Sequence, residues 1–210
     1  MSAAALLLRA RVCARRRRRA RRAGAATASR PARPPPAAAA ASAELLAVNC
    51  GGLVALAQAA LPLMLERKRG AIVNTGSVAG ALSTGSPLLS VYAGTKAFVD
   101  SFSRSLACEY AGKGITVQCQ VPHFVATAMS KIRKPTLLTP SPADYAAASL
   151  DALAAGGAVV VPYWAHALQA AALDALPQWL LRRVLMSMHL GLRARLIKKL
   201  DAEAASGKKD

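Results

Sequence analysis

Apolar and polar positions follow two rhythms along this chain. Ala71-Ile72-Val73 is a short apolar run containing β-branched residues, closed by the turn formers Asn74-Thr75-Gly76-Ser77. It predicts a buried strand with Ser77 at its carboxyl end. Residues 115–121, ITVQCQV, alternate and predict a second strand, and Val159-Val160-Val161, set between Gly156-Gly157 and Pro162, predicts a third. The other rhythm is helical. Residues 43–68 are mostly Ala and Leu with a charged end, and they predict a helix despite Gly51 and Gly52, with a kink at Pro62. A second helix runs from Tyr92 through Phe102, Leu106 and Tyr110 and stops at Gly112. Strands alternating with helices predict an α/β fold, the carboxyl-terminal portion of a doubly wound parallel sheet.

The second helix carries the candidate chemistry. In Tyr92-Ala93-Gly94-Thr95-Lys96 the phenol and the ammonium lie one turn apart on the same face. A free tyrosine, with a pKa near ~10, is a poor acid or base at neutral pH, and a neighbouring ammonium favours its phenolate. With the Ser77 hydroxyl at the strand end, this is the constellation of a carbonyl reductase, Tyr92 donating a proton and Ser77 holding the substrate oxygen. The Y-x-x-x-K spacing alone arises by chance in many helices; the strand and the serine make it specific.

Residues 71–102 resemble the active-site segment of the short-chain dehydrogenase/reductase family, whose fold is Rossmann-like. The resemblance extends from about Glu44 to the carboxyl end. Asn49, followed by Leu61-Pro62-Leu63-Met64 and Gly70-Ala71-Ile72-Val73-Asn74, matches the fourth member of that family's catalytic tetrad. Pro122-His123-Phe124-Val125-Ala126-Thr127 is similar to the family's Pro-Gly-x-Val-x-Thr, with His123 in place of the usual glycine. The resemblance implies that Tyr92, Lys96, Val125 and Thr127 meet the nicotinamide end of NADPH. It implies also that Lys96 tunes Tyr92 and holds the ribose, and that Asn49 fixes a water leading to Lys96. Residues 130–137 and 162–168, the latter PYWAHAL, look like segments of the very-long-chain 3-oxoacyl-CoA reductase branch, relatives of the 17-beta-hydroxysteroid dehydrogenases. That branch implies an acyl-CoA substrate, fatty-acid elongation, an endoplasmic reticulum membrane and homo- or hetero-oligomers with other elongation enzymes.

Charge and composition change the picture at both ends. The formal charge is +18, and residues 1–42 hold eleven Arg and no Asp or Glu, which leaves +7 for the rest. This low-complexity leader is expected to be disordered; a plastid or mitochondrial transit peptide is the alternative. Nucleic acid is not expected as a partner, because no aromatic residue interleaves the arginines. No G-x-x-x-G-x-G precedes the tyrosine, and the first acidic residue is Glu44. The half of the fold that grips the adenosine is therefore expected to be missing, and NADPH binding to be weak. A catalytically inactive remnant, at most a binding or membrane-associated protein, is the alternative function. Four scattered cysteines indicate no metal site and no disulfide framework. Between Ala152 and Leu173 no residue carries a formal charge, but Gly156, Gly157 and Pro162 interrupt the stretch, so it is not expected to span a bilayer. Residues 178–210 form the third region. Their Trp179, leucines and arginines suit a cationic helix on a membrane surface, and equally an ordinary helix docked on the partial reductase domain of residues 43–177.

Overall fold

The computed structural model describes residues 36–130 and 132–205. In chain order these form α1 (Pro36–Leu46), a π-helical segment (Ala47–Gly52), α2 (Leu53–Arg67), β1 (Gly70–Thr75), α3 (Val78–Ala81), α4 (Ser90–Glu109), β2 (Ile115–Gln120), α5 (Pro142–Ala155), β3 (Val159–Val160), α6 (Trp164–Asp174) and α7 (Gln178–Ala205). The leader expected to be disordered lies outside the described residues up to position 35. Residues 36–42 instead belong to α1, whose alanines are strong helix formers behind a proline at the start. The helix expected over residues 43–68 is three segments, with the π turn placed around Asn49, Cys50 and the two glycines. Pro62 lies inside α2, which continues through it to Arg67.

The three strands form one parallel sheet in the order β1-β2-β3. Gly70 to Thr75 pair with Ile115 to Gln120, and Cys119 and Gln120 pair with Val159 and Val160. Alternation along β2 divides its side chains between two faces. On one face Ile115 and Val117 pack with Ala57 and Leu61 of α2 and Leu106 of α4, and Ile72 of β1 joins them. Farther along the same face Cys119 and Val121 pack with Val99 of α4, and with Leu53, Val78, Val159 and Val161.

The opposite face of β2 is polar and, beyond the exposed Thr116, buried. Gln118 and Gln120 lie beneath α5, where the Gln118 amide donates to the carbonyls of Ala152, Gly156 and Gly157 at 3.0–3.2 Å. The Gln120 amide donates to Ser149 O and to Gln118 Oε1, both at 2.8 Å. The last carbonyls of α5 thus find donors in the strand it covers. With helices on both faces, β2 is the centre of a doubly wound sheet.

Candidate active site

The side chains singled out by sequence gather around the carboxyl ends of β1 and β2. β1 ends at Thr75, and Ser77 follows as the N-cap of α3, its Oγ accepting from Ala79 N–H at 3.2 Å. The strand ends are tied together, since Gly76 N–H donates to Gln120 O at 2.8 Å and Val78 N–H to Pro122 O at 3.1 Å. The serine turn and the loop that opens with Pro122 are therefore neighbours.

α4 brings Tyr92 and Lys96 to the same end. Lys96 Nζ donates to Thr75 O at 2.8 Å and lies 5.9 Å from the centre of the Tyr92 ring. Burial holds the ammonium below the usual lysine range, although the nearby Cys119 and Cys50 thiols act in the opposite direction. Helix α3 sits close on this part of α4: a Cβ on Gly80 would come within 2.5 Å of the Lys96–Ala97 backbone, so only glycine permits the approach.

Asn49 reaches the site from the π-helical segment. Its Nδ2 donates to Thr95 Oγ1 at 3.0 Å, and that hydroxyl donates to Tyr92 O at 2.8 Å. The amide therefore ties the π turn to the residue between Tyr92 and Lys96. Thr95 was not singled out in the sequence, although it is buried and its place in Tyr-x-x-Thr-Lys is a signal of a kind.

The loop after β2 is held by two residues, Ser130 and His166, to which the sequence alone assigns no role. Ser130 Oγ donates to Val125 O at 2.6 Å and accepts from Thr127 N–H at 3.1 Å, while Ser130 N–H donates to Thr127 Oγ1 at 3.2 Å. The Thr127 hydroxyl, assigned by resemblance to a nicotinamide amide, is here part of this turn. Ala126 N–H donates to Pro140 O at 2.9 Å. His166 of α6 is the second, binding the loop at His123 and Phe124. His123, in the usual glycine's place, is partly buried; burial and the adjacent His166 push it down to about 4. Its Nε2 and the Tyr145 hydroxyl are buried without a hydrogen-bond partner.

Ser86 and His189 fix the loop between Ser77 and Tyr92. Ser86 Oγ donates to Ala79 O at 3.0 Å, and His189 Nδ1 of α7 lies 2.6 Å from Pro87 O. Leu181, Leu185 and His189 form the buried stripe of α7, so this helix docks on the domain.

A parallel sheet covered by helices on both faces, with its polar side chains converging at the strands' carboxyl ends, defines an α/β protein with its site where such sheets place ligands. The chain belongs to the short chain dehydrogenase family, which it matches over residues 23–137. It is 38% identical to the very-long-chain 3-oxoacyl-CoA reductase of Homo sapiens over 156 residues, 74% of this chain and 49% of that protein. It is 39% identical to the protein of the same name from Coprinopsis cinerea over 171 residues, 77% of this chain and 50% of that one. The chain thus spans about half the length of the curated relatives it matches. Among solved structures, a 7beta-hydroxysteroid dehydrogenase is similar with a TM-score of 0.58 at 18% identity, over 67% of this chain and 56% of that one. That likeness shows the fold.

Proposed function

We propose that this chain carries the catalytic end of an NADPH-dependent very-long-chain 3-oxoacyl-CoA reductase, which converts a 3-oxoacyl-CoA to the 3-hydroxyacyl-CoA in fatty-acid elongation. The observation that supports this most is the Lys96 ammonium, held between Thr75 O and the Tyr92 ring at the carboxyl end of β1. Thr75 O takes one of its three N–H donors, and the others suit sugar hydroxyls placed beside Tyr92. NADPH bound there supplies the hydride. Lys96 and Tyr92 would hold its ribose, Val125 and Thr127 would meet its nicotinamide amide, and Asn49 steadies this part of α4 through Thr95. The Tyr92 hydroxyl gives its proton to the substrate oxygen, while Ser77, whose Oγ accepts from Ala79 N–H, directs its own O–H to that oxygen.

The endoplasmic reticulum membrane is the proposed location, reached through α7. Trp179, Met186, Leu190 and Ile197 form an exposed apolar stripe on the side of α7 away from Leu181 and Leu185, and Val184, Met188 and Leu192 are exposed on its other sides. Arg182, Arg183 and Arg193 flank this stripe, a pattern that suits an anionic lipid surface. Residues Ala39–Arg67 are long and apolar enough to cross a bilayer. The same residues give Asn49 to Thr95 and Ala57 and Leu61 to the core. Attachment by α7 at the surface preserves both. The plastid alternative rests on leader residues outside the described ones and draws no support from the relatives. Acyl-CoA is the proposed substrate, and elongation enzymes as partners follow from that reaction.

The test is reduction of a very-long-chain 3-oxoacyl-CoA, followed by loss of NADPH. It is run on this chain and on a fusion carrying the amino-terminal half of the human relative ahead of it. Tyr92→Phe is expected to lower the rate by about 10²–10⁴-fold. A rate indifferent to that change would overturn the assignment.

A further inference from the structure

His166 stands at the start of α6, 0% exposed, and the loop on which Val125 and Thr127 lie is hydrogen-bonded to its ring. His123 N–H donates to His166 Nδ1 at 3.3 Å, and His166 Nε2 lies 3.1 Å from Phe124 O. A carbonyl only accepts, so Nε2 carries the proton and Nδ1 is bare. One neutral imidazole in one tautomer thus satisfies two backbone groups of adjacent loop residues.

We propose that His166 is the positioning residue of the loop that follows β2: its neutral ring, fixed in the Nε2–H form, sets the path of residues 123–127 and so the placement of Val125 and Thr127. The consequence for cofactor binding rests on the function proposed above; the hold on the loop does not. A second proton on Nδ1 removes the acceptor for His123 N–H and sets two like donors against each other. The hold therefore exists in the neutral form and is lost as the ring charges.

The surroundings keep the ring neutral. The His123 ring lies 5.4 Å away by centroids, the Tyr145 ring of α5 5.8 Å, and the Tyr163 ring, on the turn before α6, 5.2 Å. Tyr163 donates its hydroxyl to Leu137 O. Burial pushes Tyr145 up to about 12, with a smaller contribution from Cys119, and His123 is pushed down to about 4, so neither changes charge between pH 5 and 7.5. Burial also lowers His166, against the neighbouring Phe124 and Leu138 carbonyls, which favour the charged ring.

The experiment is residue-resolved amide hydrogen exchange on the full chain, with nitrogen chemical shifts of the His166 ring, at pH 7.5 and 5. Expected at pH 7.5 are a bare Nδ1 and a protected His123 amide. At pH 5 that amide should exchange faster in proportion to the fraction of His166 rings that the nitrogen shifts show to carry a second proton, after correction for intrinsic chemistry, while Val117 keeps its protection. His166→Asn places an acceptor where Nδ1 stands and should keep His123 protected at both pH values; His166→Phe should release it at both. A protonated Nδ1 at pH 7.5, or equal His123 exchange in wild type and His166→Phe, would overturn the proposal. Should His166→Phe not fold, the wild-type pH comparison and His166→Asn decide. NADPH added to the same samples reports separately on the site. If the loop loosens as expected but Val125 and Thr127 never respond to NADPH, the positioning role stands and the cofactor assignment fails.

Discussion

β1 and β2 run side by side in register and carry the site between them, yet they live in different surroundings. On the face beneath α2 and α4 they are alike: Ile72 beside Val117 joins the apolar core, and Asn74 beside Cys119 is buried, donating to Ser103 Oγ at 2.9 Å. On the other face they part. Gln118 and Gln120 of β2 are roofed by α5, whereas their register partners on β1, Val73 and Thr75, are exposed. Among the described residues no strand pairs with the outer edge of β1. The Lys96 contact falls on Thr75 O, at the end of the less covered strand. Rigidity of the site is thus borne by β2 and by α4, while β1 contributes position with little burial of its own.

The largest expected effect separates the two strands by packing. Val117 is 3% exposed and Val73 is 41% exposed. Val117→Ala removes two buried methyl groups and leaves a cavity, so it should destabilise by about 2–3 kcal/mol. Val73→Ala should change stability by less than about 1 kcal/mol. Urea denaturation of both variants is the measurement, and equal losses would break the comparison.

The polar face of β2 gives the second test. Gln118→Leu keeps the volume but takes the donor from Ala152 O, Gly156 O and Gly157 O beneath a covering helix. The loss should be about 1–3 kcal/mol, with faster amide exchange in the last turn of α5. A neutral result would mean that water reaches those carbonyls and that α5 does not seal this face.

pH provides the third. His123 has its pKa depressed in the folded chain to about 4, below its ordinary value of 6.5. Between these values the unfolded chain binds a proton that the folded one does not, so stability falls with falling pH across this window. Above 6.5 the contribution is present in full, and below about 4 no further loss arises from this group. Denaturation midpoints at pH 7.5 and 5 should differ in that direction, and His123→Gln should reduce the difference.

Much of this was legible in the sequence because the signals were local. The runs at Ile72, Val117 and Val159 announced three strands, and the Tyr92–Lys96 spacing placed phenol and ammonium on one face, as observed. What escaped depends on contacts between distant residues. Alternation in ITVQCQV reads as one apolar and one polar face, and nothing local says that α5 buries the polar one. The π turn at Asn49 has the composition of ordinary helix, because composition does not reveal an extra residue in a turn. Thr95 and His166 owe their roles to partners 46 and 43 residues away, beyond any periodicity. The cationic composition of α7 was visible, but the stripe that docks and the stripe left exposed were separable only after Leu181 and Leu185 were seen to be buried.

The smallest expected effect is the most discriminating for β1. Val73→Thr replaces one methyl by a hydroxyl with nearly the same shape, so it reports on desolvation rather than on volume. On an exposed face the hydroxyl stays hydrated and the threonine remains a good strand former, so stability should shift by no more than about 0.5 kcal/mol. The same change at Val117 puts the hydroxyl among the apolar side chains of Ala57, Leu61 and Leu106, and should destabilise by about 1–3 kcal/mol. Both variants are measured by urea denaturation at two protein concentrations tenfold apart. If Val73→Thr approaches the Val117→Thr loss, and does so more at the higher concentration, the outer face of β1 is covered in solution by another copy of the chain. The contrast between the strands would then belong to the isolated chain alone.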